Sequence, residues 1–221
     1  MNGKISASVM CADLCRLEKD IKILESSGVE FLHFDIMDGD FVPNYTLGND
    51  IIRAVRSVTK MPFDIHLMIN RPEDKIGWFD LREGDFVSIH YEATNHVQRT
   101  LQRIKDAGAK AALALNPATP LDCVKYILPD VDMILLMTVN PGYAGQKLVL
   151  ATLEKIKELK QLLNHAGFSN IEIEVDGNVS FENAKQMRIA GADIFVAGSS
   201  SLFNKGSSLE ESCTLLRKSI I

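Results

Sequence analysis

Residues 170–198 read NIEIEVDGNVSFENAKQMRIAGADIFVAG. An apolar alternation over 170–176, a helical stretch over 180–190 and a second apolar run over 192–197 follow one another with short joins. A strand, a helix and a strand at that spacing make one crossover unit, which sets the two strands parallel. The join Ala190-Gly191-Ala192 recurs in kind at Ser27-Gly28-Val29 and Ala107-Gly108-Ala109, a weak internal repeat of similar units. Working outward, strands are expected at 4–9, 30–36, 62–68, 85–90, 109–115 and 131–138, and helices near 13–27, 47–58, 71–82, 94–107, 119–128, 147–166 and 208–219. Asp13 is expected to cap the first helix, and Ser208 with Glu211 has capping-box spacing before the last. Eight strand–helix units in 221 residues predict a single (β/α)8 TIM barrel spanning 1–221 as one domain. The competing architecture is a doubly wound open sheet. It would bring a glycine-rich turn after strand one, where this chain has Ser8-Val9-Met10-Cys11-Ala12-Asp13.

The composition narrows the function. Lys plus Arg total 24 against 29 Asp plus Glu, a formal charge of −5, which tells against a nucleic-acid partner. With 46% hydrophobic and 24% charged residues the chain can build a core, and disorder is excluded. The four cysteines (Cys11, Cys15, Cys123, Cys213) form no CxxC pair and are expected to be reduced thiols, with Cys11 and Cys15 packing around a helix start. No apolar run is long enough to span a membrane, and MNGKISASVMCADLCRLEKD has no signal-peptide core, so a cytoplasmic protein with no membrane partner is expected.

Barrels of this kind carry their chemistry at the carboxyl ends of the strands. Those ends are unusually polar here: His33-Phe34-Asp35-Ile36-Met37-Asp38, Asp64-Ile65-His66-Leu67-Met68 and Glu174-Val175-Asp176-Gly177. Strand alternation puts His33 with Asp35 on one face, and Asp64 with His66 on another. Taken singly, such a histidine reads equally as a buried core residue, and such an aspartate as an ion pair or helix cap. Together, His33, Asp35, His66 and Asp176 form a donor set suited to one divalent ion such as zinc, manganese, iron or cobalt. Two carboxylates at one centre also suit an acid and a base on opposite faces of a substrate carbon. An ion on the oxygens would stabilise the resulting enediolate.

Glycine-rich turns follow the last three strands: Asn140-Pro141-Gly142-Tyr143-Ala144-Gly145-Gln146, Gly177, and Ala197-Gly198-Ser199-Ser200. Backbone N–H groups in such turns hold a phosphate without lysine or arginine. Met37, Met68 and Met137 fall near strand ends, where core packing is the default and a soft, water-poor lining is the functional reading. His90, His96, His165 and Trp78 stand outside these patterns.

The strings HFDIMDGDFVPN (33–44) and MTVNPG (137–142) resemble the ribulose-phosphate 3-epimerase family. So do Ser8–Leu14, His66-Leu67-Met68, Asn116-Pro117, Glu174–Gly177 and Ala197-Gly198-Ser199. The resemblance covers essentially the whole chain. It implies a TIM barrel of the ribulose-phosphate-binding type and a metal-dependent ketose-phosphate 3-epimerase. Carried over by position, His33, Asp35, His66 and Asp176 are the metal ligands and Asp35 and Asp176 the catalytic acid/base pair. Ser8 and His66 contact substrate, and Met37, Met68 and Met137 cover the enediolate. Gly142, Tyr143, Ala144, Gly145, Gly177, Asn178, Gly198 and Ser199 hold the phosphate. Zinc is the expected ion, the reaction D-ribulose 5-phosphate to D-xylulose 5-phosphate, and the assembly a homo-oligomer, dimer or hexamer.

The chain departs from the family pattern at Ala7, at Tyr143-Ala144 and at Asn178. Met10-Cys11, Ala144 and Leu202-Phe203-Asn204 resemble the D-allulose-6-phosphate 3-epimerase branch, which converts D-allulose 6-phosphate to D-fructose 6-phosphate, and so put sugar length in question. Two other classes compete. Decarboxylase and synthase barrels of the same type look for a lysine in an Asp-x-Lys-x-x-Asp string, absent from Asp35-Ile36-Met37-Asp38. A non-catalytic sugar-phosphate sensor would be expected to lose an acid or a ligand, and all four residues are present.

Overall fold

The computed structural model describes residues 2–221. All eight expected strands form: β1 (Lys4–Ser8), β2 (Phe31–Asp38), β4 (Phe63–Met68), β5 (Phe86–His90), β6 (Lys110–Leu115), β7 (Met133–Met137), β8 (Glu172–Asp176) and β9 (Ile194–Ala197). They pair in parallel in the order β1-β9-β8-β7-β6-β5-β4-β2, and β1 pairs with β2 to close the barrel. The open-sheet alternative is thereby excluded. A strand the sequence reading missed, β3 (Tyr45–Thr46), returns antiparallel along the end of β2. Its cause is Asp38, whose carboxylate accepts from the N–H groups of Asp40 and Phe41 and turns the chain back. The same side chain takes Asn70 N–H and Lys75 Nζ, tying this loop to the one after β4.

The α-helices are α1 (Leu17–Ser26), α2 (Asn49–Arg56), α3 (Val97–Asp106), α4 (Ala151–His165), α5 (Phe181–Ala190) and α6 (Leu209–Ser219). Ser208 and Glu211 form the expected capping box at α6. Three expectations need correction. Asp13 caps a single 3-10 turn at Leu14–Arg16, and α1 begins only at Leu17. The helix expected over 71–82 is two 3-10 turns, Pro72–Asp74 and Ile76–Trp78, because Gly77 interrupts a segment already short of apolar positions. That expected over 119–128 is likewise two 3-10 turns, Leu121–Val124 and Leu128–Asp130. Its apolar residues Leu121, Val124 and Ile127 recur every third position, the 3-10 period, and Pro120 and Pro129 leave too few residues to nucleate an α-helix.

Alternation along the strands divides the core in two. Outward-facing Leu32, Phe34, Ile65, Leu113, Ile134, Val175 and Phe195 meet Ile52, Leu101, Ile104, Ile156, Leu159 and Leu216 of the helices. Each such side chain, fully buried, stabilises the fold by about 1.5–3 kcal/mol before entropy is subtracted. Inside the barrel the residues lie in layers. Phe31, Phe86, Ala112, Met133 and Ile194 form an apolar floor. Above it lie buried polar groups, Ser6, His33, Asp64, Ser88 and Glu174.

One buried ion pair holds α2 to the barrel. Arg56, its guanidinium 3.5 Å above the Phe63 ring, pairs with Asp85, whose carboxylate also accepts from Phe63 N–H and Arg82 N–H, both at 2.8 Å. Asp85→Ala leaves the arginine charge and two backbone donors stranded. It is expected to lower unfolding free energy by about 3–5 kcal/mol in a denaturant titration. A loss below 1 kcal/mol would show that water replaces the carboxylate.

Candidate metal and substrate site

Strand register decides which side chains meet. Ser8 lies beside His33, His33 beside Asp64, Asp35 beside His66, and Met137 beside Asp176. All of these point into the barrel, so residues distant in sequence become neighbours at its upper end. His33 Nε2 is 3.2 Å from Asp35 Oδ1. His66 Nδ1 is 3.6 Å from Asp35 Oδ1 and 3.5 Å from Asp176 Oδ2. One donor atom from each of His33, Asp35, His66 and Asp176 lies within 4.8 Å of every other, so the cluster can bind a metal ion. The expected quartet is therefore brought together without exception.

The donor set fits a divalent cation on the site's own terms. His66 Nδ1 is fully buried and has no hydrogen-bond partner, an arrangement that costs free energy unless something occupies the lone pair. His33 is oriented from behind: its Nδ1 is 2.6 Å from Asp64 Oδ2, and that oxygen also accepts from Ser6 Oγ at 2.7 Å. A carboxylate on one ring nitrogen frees the other for a ligand. Electrostatics agree. Burial disfavours charge on both imidazoles, yet Asp64 and Asp35 raise His33 well above its ordinary value, and Asp176 and Asp35 raise His66. Burial would raise Asp35, but His33 and His66 hold it well below the usual carboxylate range. The site thus carries excess negative charge that favours any positive occupant, proton or metal. Beneath it, burial and Asp64 push Glu174 well above the usual carboxylate range.

The remaining expected residues line one cavity of about 560 Å³ above the quartet, with its open mouth included. Ser8 donates to Asp35 Oδ2 at 2.9 Å. Met37 and Met68 pack with Val42, and Met137 packs with Val139, so the cavity wall beside the carboxylates is apolar. Gly142, Tyr143, Ala144, Gly145, Gly177, Asn178, Gly198 and Ser199 form the opposite side. The turn after β7 is braced by Asn44 Nδ2 on Gly142 O at 2.8 Å and by Asn178 Nδ2 on Gln146 O at 2.5 Å. Gly177 sits at φ +122°, and a Cβ there would come within 2.5 Å of Val139 Cγ2, so only glycine lets the two turns meet. Among the described residues the backbone N–H groups of Ala144, Gly145, Gly177, Asn178 and Gly198 donate to no protein acceptor. All five residues line the cavity, whose wall holds no lysine or arginine.

The sequence reading missed several participants. Cys11, expected to pack at a helix start, lines the cavity with its Sγ against Gly198. Met10, Gln146 and Ser200 join it there. Glu174 had a legible signal, since it alternates with Asp176 on one strand. His90, read as carrying none, ends β5 one strand from His66, and its Nε2 is 2.9 Å from His66 Nε2.

The model of the ribulose-phosphate 3-epimerase family matches residues 4–203. The chain is 45% identical over 196 residues to ribulose-phosphate 3-epimerase of Bacillus subtilis, covering 89% of this chain and 90% of that protein. It is 43% identical over 202 residues to ribulose-phosphate 3-epimerase of Methanocaldococcus jannaschii, covering 91% and 85%. The fold also matches a crystal structure of 3-keto-L-gulonate-6-phosphate decarboxylase from Vibrio cholerae, with TM-score 0.72 over 100% of this chain and 98% of the other. At 11% identity that likeness concerns the barrel alone. The protein is an isomerase, an epimerase acting on carbohydrate, and the chain belongs to the ribulose-phosphate 3-epimerase family.

Proposed function

We propose that the protein inverts carbon 3 of D-ribulose 5-phosphate to give D-xylulose 5-phosphate, with Asp35 and Asp176 as paired acid and base. The observation that carries this reading is their placement. Asp35 stands on β2 and Asp176 on β8, separated along the barrel wall by β9 and β1, so they face the cavity from different sides. One carboxylate takes the proton from carbon 3, and the C–H electron pair moves into the neighbouring carbonyl to give an enediolate. The other, which starts as the protonated carboxylic acid, delivers its proton to the opposite face and is left as a carboxylate. Each then holds the proton state from which the reverse reaction starts.

His33 Nε2, Asp35, His66 Nδ1 and Asp176 would hold one divalent ion, with zinc the first choice for two imidazoles and two carboxylates. Bound there, the ion supplies Lewis-acid stabilisation of the negative charge on the enediolate oxygens. Ser8 orients Asp35 through its hydroxyl. Met37, Met68 and Met137 present no hydrogen-bond donor to the reacting carbon and keep water from it. The phosphate is held by the unpaired N–H groups of the turns after β7, β8 and β9, which explains how an acidic protein takes an anionic substrate.

Sugar length is tested by comparing kcat/KM for D-ribulose 5-phosphate and D-allulose 6-phosphate. The pentose is expected to be preferred by about 10–200-fold, the discrimination one carbon provides in a fitted pocket. A preference for the hexose would replace this substrate with the longer one, and turnover of neither would remove the proposal.

A further inference from the structure

His66 and His90 lie against each other: their Nε2 atoms are 2.9 Å apart, the ring planes are 25° from parallel and the centroids are 5.0 Å apart. On the far side, His90 Nδ1 is 3.1 Å from Glu92 Oε2. The other carboxylate oxygen, Glu92 Oε1, accepts from Asn116 N–H at 3.0 Å and from the Thr119 hydroxyl. His90 itself is fully buried and roofed by the Phe41 ring, centroid to centroid 4.8 Å. None of these residues lines the substrate cavity.

Hydrogen positions follow from which atoms can donate. A carboxylate only accepts, so the hydrogen between Glu92 and His90 belongs to His90 Nδ1. His90 Nε2 then offers a lone pair, and the contact with His66 closes only if His66 Nε2 is the donor. An imidazole with its hydrogen on Nε2 has a bare lone pair on Nδ1. That is the atom which is buried without a partner and faces Asp35 and Asp176. His33 shows a related arrangement with the opposite nitrogen: Asp64 lies against Nδ1, and Nε2 faces Asp35 Oδ1 at 3.2 Å.

We infer that Glu92 and His90 are positioning residues that set the tautomer and orientation of His66, so that its Nδ1 is presented as a metal ligand. The inference rests on the metal reading proposed above. It adds that the ligand is set from outside the site, by a carboxylate two hydrogen bonds away.

The test uses zinc alone and the full chain. Zinc affinity is measured by competition with a chelating dye for wild type, Glu92→Ala, Glu92→Gln and His90→Phe, with circular dichroism as the folding control. Glu92→Ala and His90→Phe are expected to bind zinc about 10–100-fold more weakly. Glu92→Gln, whose amide oxygen can still accept from His90 Nδ1, is expected to recover most of that loss. Nitrogen-15 spectra of the zinc-loaded wild type are expected to place the His90 hydrogen on Nδ1. If His90→Phe does not fold, Glu92→Ala decides, since Glu92 is partly exposed and its loss opens no core cavity. A wild type that binds no zinc brings down the metal reading itself. Zinc bound equally tightly by wild type and Glu92→Ala, or a His90 hydrogen on Nε2, overturns this inference while leaving the metal reading in place.

Discussion

Asp176→Asn is expected to lower the rate of epimerisation by about 10²–10⁴-fold, and Asp35→Asn by a similar factor, because in the mechanism proposed above each removes one of two proton-transfer groups. Neither change should unfold the barrel. Asparagine keeps the shape of each side chain, Asp35 is supported by Ser8, and Asp176 lies at the rim of the cavity with part of its side chain exposed. The more discriminating result comes in deuterated water. With an acid on each face, the proton removed is never the proton returned, so each product molecule carries solvent deuterium at carbon 3. A variant that retains one acid is expected to exchange the carbon 3 hydrogen of one epimer without forming the other. Retention of the substrate's own hydrogen in the product, or full activity in both variants, would sink the two-carboxylate mechanism.

The second large effect concerns the metal. Prolonged chelation is expected to reduce activity to background, and zinc, manganese or cobalt to restore it. The physical reason lies in the charge of the intermediate. An enediolate in a cavity lined by methionines and two carboxylates has no lysine or arginine in the wall to neutralise it, whereas the His33, Asp35, His66 and Asp176 donors can hold a dication beside it. The same ion should stabilise the fold, by about 2.7 kcal/mol when present at a hundred times its dissociation constant. Thermal unfolding with and without zinc reads that directly. Full activity in a preparation shown by elemental assay to be metal-free would rule out the Lewis-acid role.

Much of this site was legible in the chain because strand chemistry is local. His33 with Asp35, Asp64 with His66 and Glu174 with Asp176 each alternate by two, and a period of two is visible in any sequence. The glycine turns after the last three strands were legible for the same reason. The failures were of two physical kinds. Over 71–82 and 119–128 the choice between an α-helix and 3-10 turns hung on small differences that Gly77 and the flanking prolines settled. Cys11 and His90 were missed because their importance lies in what stands across from them: Gly198 and His66 belong to other elements.

The sequence by itself therefore determined the order of the eight barrel strands, the two histidines and two aspartates that end them, and the glycine-rich turns that follow the last three. These depend on periodicity and on residue type, which every window of the chain carries. Only the tertiary structure decided that β1 closes on β2 and which ring nitrogen of each histidine faces the site. It alone also placed a buried carboxylate behind one imidazole and a second imidazole behind the other. Those depend on strand register around a closed barrel. Register is a relation between segments far apart in the chain, and no single segment specifies it.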